Sequence, residues 1–250
     1  MVYNFSKYDI GFLSLIFNHP LPLIVDDPFN DRTKVQIQNE WQLFTERFRS
    51  RGLLRTDELG NVIFDTSLIE SLLSMFGADT MISIIQEEEI QSVFYLHEED
   101  RSLLKKEDIG FSLKHFEGEE DFSHDFLANM SMEEATSPPP FEYFSLQLPT
   151  SQFDTLLGWY NNSEIAKISV LCTIKQVSFE TCISLLNSTH QHEGLSVLTE
   201  RIGGTGTIIT KIVNDSGILT LVKMIYTEEK EMTALLQCPP NKLIKTILAF

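Results

Sequence analysis

A chain of 250 residues with 42% hydrophobic content and 18 phenylalanines can bury a substantial core, which excludes a disordered chain and allows one or two domains. Asp and Glu total 36 against 19 Lys and Arg, and the net charge of -17 argues against a nucleic-acid or anionic-membrane binder, whose affinity comes from basic side chains. The densest basic residues, Arg47, Arg49, Arg51, Arg55, Lys105 and Lys106, read as a solvated face, and a basic protein partner stays open.

Met1 to Pro20 holds an apolar run too short for a membrane span and lacks a basic leader or small-residue cleavage site. Cys172, Cys182 and Cys238 are odd in number and form no CxxC, so the expected compartment is a reducing cytoplasm. Ser6 and Asp9 form a capping box for a helix with Phe12, Leu13, Ile16 and Phe17 on one face, stopped by Pro20. "PLPLIVDD" reads as extended. Ile37, Trp41, Phe44 and Phe48 then stripe an amphipathic helix from Asp31 to Ser50, which Gly52 ends. Ser67 and Glu70 make a second capping box for a helix striped by Ile69, Leu72, Leu73 and Phe76 and closed by Gly77. Three strand-like runs follow as a meander: "TMISIIQ", "IQSVFYL" and "DIGFSLKHF".

Residues 117–140 change character. Acidic residues, serines and three prolines mark a linker, with a short helix around Phe126, between an N-terminal part (1–116) and a C-terminal part (141–250). The second part repeats the grammar of the first. Extended "FEYFSLQLP" leads to a helix with Phe153, Leu156, Leu157 and Tyr160 on one face, then two more capped near Ser163 and Ser178. Three strands follow, turning at Asp215 to Gly217 and near Glu228 to Glu231, and Pro239 and Pro240 begin a last helix carrying Leu243, Ile244, Ile247, Leu248 and Phe250. The expected class is α+β, pseudo-twofold by duplication.

Signatures of catalysis are missing. No GxxxxGK[ST], GxSxG, HExxH or kinase set occurs, and "GGTG" at Gly203 to Gly206 reads as a helix-to-strand turn. His190 and His192 beside Glu193, and His97, are the candidates for a metal or an enzyme pocket, but their setting at element ends suits solvation better. No cofactor and no metal are expected. The acidic clusters Glu87 to Glu89 and His97 to Asp100 sit at strand ends, where charge normally solvates a turn.

"FLSLIFNHPLPLIV", a long helix ending in "RSRGLL", and "GNVIFDTSLIESLLSMFGAD" leading into strands, together with the closing "GTIITKIVNDSGILTLVKMIYTEEKEMTALLQCPPNKLIKTILAF", resemble the EspG-type chaperones of type VII (ESX) secretion and their relatives in other Gram-positive bacteria. The resemblance implies a cytosolic, non-catalytic protein that keeps a helical secreted protein, a WXG/LXG- or PE/PPE-like hairpin, soluble until the secretion ATPase takes it. It also implies a central antiparallel sheet flanked by helical bundles, with docking of the client's apolar tip on the sheet and the C-terminal bundle. The turn at Glu87, Glu88 and Glu89 is shorter than the loop with which some family members grip substrate. The apolar face of the last helix, at Leu243, Ile244, Ile247 and Leu248, has two readings: burial by the sheet alone, or a client groove shared with Ile218, Thr220 and Val222 of the neighbouring strand. Two rival readings remain: an acidic immunity protein that plugs a basic toxin by charge, and an enzyme of unknown type.

Overall fold

A computed structural model of the chain describes residues 2–130, 132, 143–191, 194–202, 206–215 and 218–249. Contacts divide the chain into two compact units, Met1–Met81 with Ile90–Glu119, and Ile82–Glu89 with Glu120–Phe250. The class is α+β as expected: ten of the twelve described strands are laid out in antiparallel order, with helices packed on them.

In the first unit β1 (Val2–Phe5) leads through α1 (Lys7–Ile16), α2 (Lys34–Ser50), a small hairpin of β2 (Leu54–Thr56) and β3 (Val62–Phe64), and α3 (Thr66–Phe76). After β4 (Thr80–Gln86), strands β5 (Glu89–His97), β6 (Asp100–Lys106) and β7 (Phe111–Phe116) pair in succession, and β1 closes on β7 with Val2 opposite Lys114. The pleat sends Tyr3, Val93, Leu104 and Leu113 to one face, where they meet Phe12, Phe44, Phe48, Leu68 and Leu72 from the three helices.

Local chemistry explains the helix ends. Ser6 and Asp9 form the expected capping box on α1, and Thr33 with Gln36 forms another on α2. The cap of α3 is Asp65 rather than Ser67, because its carboxylate reaches the Leu68 amide at 3.1 Å. The buried stripe of α3 is accordingly Leu68, Leu72 and Met75, and Leu73 is exposed. At the end of α2, Gly52 takes a φ of +71° while the Leu53 amide donates back to the Phe48 carbonyl at 2.8 Å. That is a Schellman close, and it sends Leu53 and Leu54 into the core: the Gly52 turn is scaffold. "PLPLIVDD" is an irregular loop with a turn at Leu23–Ile24 that tucks in Val25, not an extended segment.

The second unit starts from β4, which lies beside β9, and includes α4 (Glu119–Asn129) inside the acidic stretch, with Phe122, Phe126 and Leu127 buried. Residues 133–142, with the three prolines, lie outside the described residues. β8 (Ser145–Pro149) leads to α5 (Thr150–Asn161), α6 (Ile165–Lys175) and α7 (Phe179–Gln191), then to β9 (Leu195–Arg201), β10 (Gly206–Asp215), β11 (Ile218–Thr227) and β12 (Glu231–Cys238). β9 to β12 pair in succession and β8 closes on β12, Leu146 opposite Leu235. A 3-10 turn at Pro240–Lys242 begins α8 (Leu243–Leu248).

Each half therefore runs strand, helices, four-strand meander, with the leading strand paired to the last: β1 with β7, β8 with β12. The expected meanders had three strands; β6 and β9 make four, and β1 had no counterpart in the sequence reading. Charge at both ends of "DRSLLKK" conceals a strand whose middle, Ser102 to Leu104, is buried.

Candidate functional site

The histidines do not assemble a centre. His97 stands 3.8 Å from the Asp79 carboxylate at the surface, and His190 packs edge-on to Tyr160 near the end of α7. His192, Glu193 and Gly203 to Thr205 lie outside the described residues, and among the described ones no group of three His, Cys, Asp or Glu could hold a metal ion. A cleft of about 590 Å³ between β1, α1, α2 and the β6–β7 turn is lined by both charge signs. Its Arg47 is engaged by Asp9 at 2.6 Å and its Arg51 by the Asn4 carbonyl at 2.8 Å, so these groups tie α2 to the β1–α1 junction.

The acidic turn is unusual in its backbone. Glu87 and Glu88 join β4 to β5 with φ of +52° and +67°, a pair of left-handed residues that a two-residue hairpin turn normally fills with Asn-Gly. Two exposed glutamates held there cost conformational energy. Glu89 is the first residue of β5.

The groove expected at the last helix is not formed. Leu243 and Ile247 are fully buried by the chain itself, and Thr220 is buried as well. The pleat of β11 supplies the reason. Val222 packs with the α5–α7 core, and Thr233, opposite Met224, bonds Thr150 at the start of α5. Lys223 points the other way and donates to the Thr246 carbonyl in α8 at 2.7 Å and to the Ala249 carbonyl beyond it. Ile218, Thr220 and Val222 thus face α5–α7 while α8 lies on the opposite face, so the two halves of the proposed groove cannot meet one helix. Ile244 and Leu248 are half-buried.

The sequence reading missed the outer face of α6. Of its eleven residues, "IAKISVLCTIK", apolar side chains occupy every side, yet only Ile168 and Cys172 are buried. Val170 and Ile174 are 60% and 70% exposed and, with exposed Ala166, fall at i, i+4 and i+8. A helix apolar all round is one that expects cover on both sides, and that circumference was readable from the sequence. α6 carries Lys167 and Lys175 and no acidic residue; Lys167 pairs with Glu164 at 2.5 Å and lies over the Trp159 ring. In the first unit an apolar groove of about 420 Å³ runs between α1 and α2, lined mainly by Phe12, Leu15, Ile16, Ile37 and Trp41.

No protein-family model and no curated protein matches the chain. Among the described residues no helix is long and apolar enough to cross a membrane. A solved structure does match: the Mycobacterium tuberculosis type VII secretion system chaperone EspG5, in complex with a PE25-PPE41 dimer. The likeness covers 99% of this chain and 96% of that one, with a TM-score of 0.53 and 11% identity. What the two chains share at that identity is the fold, and by it this chain takes the architecture of a type VII secretion chaperone.

Proposed function

We propose that the protein is a non-catalytic cytoplasmic chaperone of type VII secretion, binding a helical secreted protein and keeping it soluble until the secretion ATPase receives it. The observation that carries this reading is the fold likeness over nearly the full length of both chains to a chaperone solved with a PE25-PPE41 dimer. The proposed client surface is the outer face of α6, Ala166, Val170 and Ile174, and the acidic turn at Glu87, Glu88 and Glu89 is proposed as a separate contact. Apolar stripes at helical spacing receive amphipathic helices.

The test is co-expression of the tagged chain with helical-hairpin secretion substrates from its host. A stable complex is expected, resistant to moderate salt and lost in Val170→Asp/Ile174→Asp while circular dichroism stays unchanged. Capture that survives the double substitution would remove α6 from the interface. Failure to bind any helical substrate, with capture of a basic toxin that salt releases steeply, would establish the immunity reading instead.

A further inference from the structure

We propose that α8 is a latch, held on the β11–β12 face by the buried ammonium of Lys223 and able to open without unfolding of the sheet beneath it. The proposal goes beyond the chaperone reading and does not depend on it. α8 has six residues and no side-chain N-cap, far short of the length at which a helix persists alone, so docking is what keeps it helical. Leu243 and Ile247, one turn apart, are its two fully buried anchors. Its C-terminal carbonyls are the other attachment: Lys223 is 3% exposed and donates to Thr246 O at 2.7 Å and to Ala249 O.

The energetics of that attachment are two-sided. The ammonium has given up water, and among the described residues both of its hydrogen bonds go to carbonyls rather than to a carboxylate. Opening α8 would expose two apolar side chains but return the charge to solvent, which offsets part of the cost. On the same face Thr210, directly opposite Lys223 on β10, and Thr199 on β9 have buried hydroxyls with no hydrogen-bond partner among the described residues.

Cys238 reports the opening. It lies on the same face as Lys223, 2% exposed, with Sγ 3.3 Å from Thr246 Oγ1 of α8. Cys172 and Cys182 lie instead in the core made by α5, α6 and α7. The experiment is timed alkylation of the native full-length chain with N-ethylmaleimide, located by mass spectrometry, beside hydrogen exchange of the 218–227 and 243–249 segments. Cys238 is expected to label while Cys172, Cys182 and the β11 amides stay protected. Lys223→Met should speed Cys238 labelling and α8 exchange by about tenfold, the effect of losing a hydrogen bond to a charged group. Labelling of the three thiols at one rate, in step with β11 exchange, overturns the latch. So does an unchanged Cys238 rate in Lys223→Met. A variant in which β11 loses protection together with α8 overturns it too, because the ammonium would then hold the sheet rather than the helix.

Discussion

At Lys223 burial and hydrogen bonding pull in opposite directions. Loss of water lowers its pKa from the ordinary 10.5 to about 8. Between those values the unfolded chain keeps a proton that the folded chain has released, so this group makes stability rise with pH from about 8 to 10.5. Burial raises Tyr95 and all three cysteines, and those groups act the other way as pH climbs. The comparison with Lys223→Met isolates the lysine. In urea the wild-type chain should gain stability relative to the variant, by ~1–3 kcal/mol, as pH rises from about 8 to 10.5. A difference that ignores pH would refute this account. The left-handed glutamates make a second residue-scale prediction. Glu87→Asn/Glu88→Gly supplies the residues the turn prefers and should raise the thermal midpoint, by ~1 kcal/mol in stability, while weakening client capture. Unchanged capture would confine these residues to solvating the turn.

Elements show where pattern is legible and where it is not. The cap of α1, the Gly52 close and the stripes of α2 and α5 follow from side-chain chemistry a few residues apart, so they could be read directly. Ser163 was misread because the same residue type serves opposite ends. It caps nothing on α6, whose N-cap is Glu164 without a side-chain bond; with φ of +58° it is the left-handed close of α5, and Glu164 N returns to Trp159 O at 2.8 Å. In β11, "ILTLVKM", both faces are covered, so apolar residues run on without alternation. No periodicity then says which face each side chain takes, and the expected groove failed there. The same limit hid the α6 surface: exposure is a property of what packs nearby, which a helical wheel does not contain. Gly110 tests a junction between elements. Its φ is +88°, and a Cβ built there would meet the Phe5 carbonyl oxygen at 2.3 Å, where β1 meets β7. Gly110→Ala should cost ~1–3 kcal/mol in urea unfolding, with loss of protection strongest in β1. A neutral substitution would mean that β1 contributes little to the first unit.

For the whole molecule, class and repeated layout were legible because they rest on element order, which survives errors of a few residues at each boundary. Helices followed by strands occur twice, and that repetition predicted the layout although β1, β2, β6 and β9 were not foreseen. Net charge could exclude partners but not select one. The site, unlike the fold, depends on exposed side chains brought together by packing, and α6 became a candidate only when its outer face was found uncovered. The closing strands carry a further consequence. Val2 pairs with Lys114 and Phe5 with Phe111, while Pro149 pairs with Met232 and Leu146 with Leu235. In each half the strand synthesised first finds its partner in the strand synthesised last. Such pairings demand closure of very long loops before they return any contact energy, which slows folding and delays sealing of the sheet. A nascent half on the ribosome therefore holds its opening strand unpaired through nearly its whole translation. This protein, proposed to shield others, has its own interval of need for a chaperone.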